Sequence, residues 1–290
     1  MSFVSPKTLL RRLGLKPKKA WGQHFLLHPH QGRRVVEALA LTGREVVVEI
    51  GAGLGALTVF LAGAAQKVVA LERDPTLARF LQEEVFQATP AVLILCQDAL
   101  GFDFPELSRK SEQPLKVVGN LPYQITSPLL FKLIKERQAL AQAVLMMQQE
   151  VGERLLASPG TKDYGVLSVL SQYHFSLTRL FSLTPTNFFP PPKVDSVVIS
   201  LCPQAPTPAA KDEDLLSRVV KAAFATRRKT LNNTLAAQTA NFGLTPDRLR
   251  AILLELTINP ARRGETLSVP EFVALSNRIG DLSVGGGPGS

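Results

Sequence analysis

Cysteine is scarce in this chain of 290 residues: only Cys96 and Cys202 occur, with no metal-ligand spacing between them. A disulfide scaffold and a thiolate metal centre are thereby disfavoured, and both thiols read as reduced packing residues, Cys96 inside a buried strand. Long apolar runs are missing too. None approaches the roughly 18 residues that span a bilayer, and no apolar signal core opens the chain. A soluble, cytoplasmic, monomeric protein without membrane attachment is expected. Histidine numbers four, and although His24, His28 and His30 lie close together, no nearby acid or thiol completes a ligand set, so no metal is expected. Internal repeats are absent.

Acid is missing from the start of the chain. Before Glu37 stand eight bases, Lys7, Arg11, Arg12, Lys16, Lys18, Lys19, Arg33 and Arg34, without one carboxylate. Such an arm gains affinity for nucleic acid by releasing counterions from phosphates. An organelle transit peptide is the rival reading, but the segment Gly22-Gln23-His24-Phe25-Leu26 begins too soon to leave room for a cleaved leader. A second basic feature lies in Asp214 to Ala237, where Leu215, Leu216, Val219, Val220, Ala223, Phe224, Leu231 and Leu235 recur at helical spacing. This stretch carries Arg227, Arg228 and Lys229, a triplet that a merely solvated face does not require. With a net charge of +9, the two features read as positive surfaces flanking one pocket, with Lys16, Lys18, Lys19, Arg227, Arg228 and Lys229 as the RNA-binding candidates.

The pocket itself is written in four strand endings. Val46-Val47-Val48-Glu49-Ile50 runs into Gly51-Ala52-Gly53-Leu54-Gly55 and then a helical pattern. Glycines there let the backbone approach a ligand, and the helix that follows offers free N–H groups. A second strand, Lys67 to Leu71, ends at Glu72, 21 residues beyond Gly51, where a carboxylate can accept both hydroxyls of a ribose. A third, Ala91 to Leu95, leads to Asp98, an acceptor for a purine amino group. The glycines alone also fit a dinucleotide fingerprint. The acid ahead of Gly51, the acid at Asp98 and the turn Asn120-Leu121-Pro122-Tyr123 after the fourth strand favour S-adenosyl-L-methionine over a dinucleotide. That turn suits an adenine: the Asn120 side-chain oxygen and the Leu121 carbonyl can accept from the exocyclic amino group, Pro122 stiffens the backbone, and Tyr123 can stack on the base. No strong general base is needed, because the amino proton becomes acidic only as the new N–C bond forms.

These segments, together with Phe188-Phe189-Pro190-Pro191-Pro192-Lys193-Val194-Asp195-Ser196 and Phe224-Ala225-Thr226-Arg227-Arg228-Lys229-Thr230-Leu231, resemble the ribosomal RNA adenine dimethyltransferases over nearly the whole chain. The resemblance is greatest to the bacterial small-subunit type. It implies that His24, Leu26, Gly51, Gly53, Glu72, Asp98 and Asn120 touch S-adenosyl-L-methionine. It implies also that Asn120 and Leu121 grip the target amino group while Tyr123 and Phe188 stack on the extruded base. The implied substrate is the small-subunit ribosomal RNA of the immature (pre-30S) subunit, with two methyls placed on each of two adjacent adenosines in its 3′-terminal hairpin loop. One departure is Asn232-Asn233, where another base is expected. Two alternatives remain at this point, a large-subunit RNA adenine methyltransferase and a non-enzymatic RNA-binding assembly or transcription factor. The segment Ile258 to Arg263 favours the small-subunit type over the first, and the intact Asn120 turn argues against the second.

The fold class expected is α/β: a class I, Rossmann-like methyltransferase domain with a mostly parallel seven-stranded sheet, plus a small all-α C-terminal domain. A basic arm (1–30) precedes the methyltransferase domain (31–202), which opens with a helix over about Gln31 to Leu41 and closes with a hairpin of Tyr173–Leu183 and Val194–Leu201 at the sheet edge. The turn joining that hairpin, stiffened by three prolines, is expected to display one aromatic ring to the pocket. A proline-rich linker (203–210) leads to an RNA-binding domain of three or four helices (211–281) and a disordered tail (282–290).

Overall fold

Val46–Ile50 is rich in β-branched side chains, which favour extended backbone and pack well on a pleated surface. In the computed structural model, which describes residues 4–18, 21–122, 124–226 and 228–284, this run is a strand buried at every position. Continuous burial marks a strand covered on both faces, as parallel sheets require. In chain order the strands are β1 (Phe25–Leu26), β2 (Val46–Ile50), β3 (Lys67–Glu72), β4 (Val92–Cys96), β5 (Leu115–Asn120), β6 (Leu140–Gln148), β7 (Phe175–Leu183), β8 (Phe188–Phe189) and β9 (Ser196–Pro203). Seven of them form one sheet in the order β4-β3-β2-β5-β6-β9-β7. β2 pairs in parallel with both β3 and β5, β3 with β4 and β5 with β6. β9 and β7 add an antiparallel edge. The expected mostly parallel α/β sheet with its terminal hairpin is what forms.

The order reverses between β2 and β5, so the loops leaving their C-terminal ends diverge and open a crevice. Every strand ending singled out in the sequence therefore points to one place. Gly119 lets β5 approach β2 closely, since a Cβ there would stand 2.6 Å from the Ile50 carbonyl oxygen.

Helices surround the sheet: α1 (Pro6–Arg12), α2 (Pro29–Glu37), α3 (Thr58–Leu61), α4 (Pro75–Phe80), α5 (Phe104–Ser111) and α6 (Thr126–Lys135). Several start where proline or an acid signals it. Asp74 caps α4 by accepting from Thr76 N at 3.1 Å, and Asp103 caps α5 by accepting from Glu106 N at 2.8 Å. α1 gives the basic arm a helix that its sequence did not announce, with Leu9 and Leu10 buried in the core. α2 stops at Glu37, short of the expected Leu41. Ala40 turns left-handed at φ 47°, and Lys116 Nζ takes the terminal carbonyls of Leu39 and Ala40 at 2.5 and 3.2 Å.

The chain divides into two compact units, one comprising the residues up to Gly152 with Phe175–Pro203, the other Glu153–His174 with the residues from Gln204 onward. The sequence reading assigned 153–174 to the methyltransferase domain. In the structure α7 (Gln149–Leu156) runs across the boundary, and α8 (Val166–His174) packs with α9 (Glu213–Ala223) and α12 (Val269–Val284). The expected linker is tied down as well: Gln204 N donates to the His174 carbonyl at 3.0 Å, Ala210 N to Tyr173 Oη at 2.8 Å, and Asn277 Nδ2 to the Ala209 carbonyl at 3.1 Å.

Two further expectations are corrected. The stretch 214–237 is not continuous helix, because α9 ends at Ala223 and a separate α10 (Leu231–Ala236) begins after Thr230, whose side chain accepts from Asn233 N. α11 (Pro246–Glu255) completes the second unit. Cys96 is exposed rather than buried. Its strand β4 lies at the edge of the sheet, where Leu93 is 44% exposed too.

Candidate active site

The crevice at the C-terminal ends of β2 to β5 is a cleft of about 1090 Å³, its open mouth included. His24, Leu26, Gly51, Gly53, Glu72, Asp98 and Asn120 all line it, as do Leu121, Pro122 and Phe188. Tyr123 lies outside the described residues. The glycine turn is built by conformation and space together. Gly53 has φ +59°, and a Cβ on it would stand 3.2 Å from the Phe25 ring.

Glu72 closes that turn. Its Oε2 accepts from Gly53 N and its Oε1 from Asp74 N, both at 2.7 Å. Each carboxylate oxygen has a second lone pair, so these bonds fix the side chain without exhausting it. Burial raises the Glu72 pKa, and the two backbone N–H groups partly offset this by favouring the ion. Beneath it, Glu49 is buried to 1% exposure and accepts from Thr58 Oγ1 at 2.6 Å. Its pKa is pushed up to about 8, by burial first and by the neighbouring Glu72 charge, against the Thr58 hydrogen bond. The floor of the cleft therefore holds two carboxyls that gain from a ligand offering hydroxyls or positive charge.

Asn120 ends β5, and its Nδ2 donates to the His24 main-chain carbonyl at 2.8 Å. That bond fixes which way the amide faces, because an acceptor carbonyl can be met only by the nitrogen. Leu121 N donates to the Met146 carbonyl at 2.9 Å, holding the next residue to β6. His24 is held in turn by a two-stranded ribbon in which β1 pairs antiparallel with β8, Leu26 opposite Phe188. Its Nδ1–H donates to the Pro190 carbonyl at 2.7 Å. Phe188 was expected on the pocket rim, yet it is only 2% exposed and forms part of the packed wall. Asp98 accepts from Leu100 N at 2.9 Å and stands 3.7 Å from Arg73 Nε.

A match to the family model for ribosomal RNA adenine dimethylase covers residues 14–275. The chain belongs to this family. The ribosomal RNA small subunit methyltransferase A of Geobacter sulfurreducens is 44% identical over 96% of this chain and 99% of its own, and that of Geobacter metallireducens 42% identical over 96% and 100%. Among solved structures, a dimethyladenosine transferase from Plasmodium falciparum superposes with a TM-score of 0.77 at 26% identity, covering 89% of this chain and 98% of that one. The 23S rRNA methyltransferase ErmE gives 0.66 at 25% identity over 88% and 99%. An rRNA adenine dimethylase is a methyltransferase.

The RNA candidates fall in both units. Lys16 is exposed. Lys18 pairs with the buried Asp74 at 2.8 Å and is engaged within the protein. Arg228 and Lys229 are exposed in the turn between α9 and α10 rather than on a helix. Lys19 and Arg227 lie outside the described residues. Sequence reasoning missed Trp21 and Gln23, which also line the cleft. The only signal for them was their position beside His24. Among the described residues no cluster of metal-ligating side chains occurs, and no helix is long and apolar enough to cross a membrane.

Proposed function

We propose that this protein transfers methyl groups from S-adenosyl-L-methionine to N6 of two adjacent adenosines, two methyls on each, in the 3′-terminal hairpin loop of small-subunit ribosomal RNA. The observation that carries this reading is the tethered Asn120 amide. With Nδ2 spent on His24, Oδ1 is the atom left to accept from an amino group, and it does so in the same cleft as Glu72, Asp98 and the glycine turn.

The residues fit the cofactor. Glu72 is fixed where it can receive ribose hydroxyls, Asp98 can accept from the purine amino group, and the turn at Gly53 leaves no side chain between backbone and ligand. When bound, S-adenosyl-L-methionine supplies a methyl group on a positively charged sulfur. Asn120 Oδ1 and the Leu121 carbonyl hold the two N–H bonds of the target, localising the nitrogen lone pair and aiming it at the methyl carbon. Catalysis is then chiefly orientation and hydrogen-bond stabilisation of the charge that develops on the amino group. Tyr123 stacks on the extruded base in this reading, Phe188 stays in the packed wall of the cleft, and Lys16, Lys19, Arg227, Arg228 and Lys229 meet phosphates. The enzyme works as a cytoplasmic monomer on the immature small subunit.

The small-subunit reading is favoured over the large-subunit one by relatives at 41–44% identity that carry the small-subunit name. Incubation with labelled S-adenosyl-L-methionine and either undermethylated small subunits or large-subunit RNA, followed by mapping of the product, tests it. Label on paired adenosines of the small-subunit loop is expected. Label only on large-subunit RNA, or none on either, overturns the proposal.

A further inference from the structure

Trp21 stands on the wall of the cleft, and its ring is held from two separate segments. The Lys18 ammonium lies 4.3 Å from the ring centroid and the Arg73 guanidinium carbon 5.3 Å, both within cation–π range. Lys18 is itself fastened, with Nζ 2.8 Å from Asp74 Oδ2. Its main-chain N–H donates to Gln23 Oε1 at 2.8 Å, and Gln23 Nε2 donates to the same Asp74 oxygen at 3.2 Å. The Asp74 side chain is only 4% exposed, so this ion pair is less screened by solvent than a surface one.

The fastening touches the cofactor carboxylates at both ends. Asp74 N is one of the two donors that fix Glu72, and Arg73 reaches the other way to Asp98. A nucleoside held by Glu72 at its ribose and by Asp98 at its base must cross the stretch that Arg73 and Trp21 border. An indole serving only to plug the arm against the sheet would sink among aliphatic side chains. This one has two cations over its ring and stays partly exposed.

We infer that Trp21 clamps the purine of the cofactor, held in position by Lys18, Arg73 and the Lys18–Asp74 ion pair. The inference rests on the S-adenosyl-L-methionine reading of the cleft and assigns Lys18 to the cofactor rather than to RNA. It extends the contribution of the acid-free arm to the methyl-donor site beyond His24 and Leu26, because an aromatic face can be offered to a purine only if the arm is pinned over the strand ends.

Trp21 is the single tryptophan of the chain, so tryptophan emission reports this wall alone. The full-length protein is titrated with S-adenosylhomocysteine, 5′-methylthioadenosine and methionine, following emission and heat in parallel. The first two compounds carry the purine and are expected to shift the emission saturably, whereas methionine leaves it unmoved. Trp21→Leu is expected to bind S-adenosylhomocysteine roughly tenfold more weakly by calorimetry, with Trp21→Phe recovering most of the loss. Emission unmoved by S-adenosylhomocysteine in a parent that binds it calorimetrically overturns the clamp, as does parental affinity in Trp21→Leu. The emission arm needs no substitution and so does not depend on a variant folding. Absence of any binding heat in the parent overturns the cofactor reading itself, and this inference with it.

Discussion

Asn120 and His24 lie 96 positions apart in sequence, yet the side-chain amide of the first donates to the main-chain carbonyl of the second at 2.8 Å. The bond couples the end of β5 to the β1–β8 ribbon and orients the acceptor oxygen of the amide. Replacing Asn120 with Ala removes both. Methyl transfer in a single-turnover assay is expected to fall by at least about a hundredfold, since orientation and an acceptor contact to the positive charge developing on the amino group each contribute a few kcal/mol, while RNA affinity stays near the parental value. Asn120→Asp tests the orientation argument separately. A carboxylate has no donor for the His24 carbonyl, so it too is expected to be slow although it retains an acceptor. Parental rates in Asn120→Ala would make the turn structural.

Glu72 accepts from two buried backbone N–H groups with its two oxygens. A glutamine of the same shape has one acceptor oxygen and directs N–H at the other donor. Glu72→Gln is therefore expected to lose roughly 1–3 kcal/mol of stability by urea unfolding, the cost of one unmet buried hydrogen bond. It is also expected to bind S-adenosylhomocysteine more weakly by calorimetry. A folded variant with unchanged affinity would remove Glu72 from the ribose.

The strand endings were legible in the sequence because they depend on local composition. Apolar β-branched runs stop at Gly51, Glu72, Asp98 and Asn120, and a doubly wound sheet brings the C-terminal ends of its parallel strands to one side whatever the loops do. What escaped reading is non-local. β1 and β8 are two residues each and pair across 162 to 164 positions, so neither has a periodicity to detect. Lys18 looked like one more base in a basic arm, and its buried partner Asp74 could be assigned only once the arm had been placed. Cys96 reads as buried from its neighbours, but a strand's exposure depends on whether it is central or at the edge, which the topology decides. The stretch from Asp214 to Ala237 kept helical spacing across a real break. Thr230 was the local signal for it, a residue whose side chain competes with helix continuation by capping a new start.

Glu49 gives the protein a pH dependence of definite sign. Its pKa rises from the ordinary 4.5 to about 8 in the folded state. The folded chain then holds a proton that the unfolded chain has released, so stability falls as pH rises from about 4.5 to about 8 and levels off above. Glu49→Gln mimics the protonated form and keeps an acceptor for Thr58. Between pH 6 and pH 8 the parent is expected to lose roughly 2–3 kcal/mol more than Glu49→Gln in parallel urea unfolding experiments. The variant is expected to be the more stable of the two at pH 9. Equal slopes for the two proteins would mean that Glu49 is ionised throughout this range.

Arg228 and Lys229 stand exposed in the turn between α9 and α10. Exposure alone suits a solvated turn as well as a phosphate site, and the salt dependence of RNA binding separates the two. A phosphate contact releases counterions, so losing one flattens the plot of log affinity against log salt by up to about 0.9 for duplex-like RNA and about 0.7 for a single strand. Arg228→Gln with Lys229→Gln is expected to lower RNA affinity and the slope together, while S-adenosylhomocysteine binds as it does to the parent. A loss of affinity at constant slope indicates a damaged fold, because fewer competent molecules lower the apparent affinity equally at every salt concentration. An unchanged slope with unchanged affinity moves the phosphate contacts elsewhere, first to Lys16, which is exposed in the arm and whose substitution should then carry the effect.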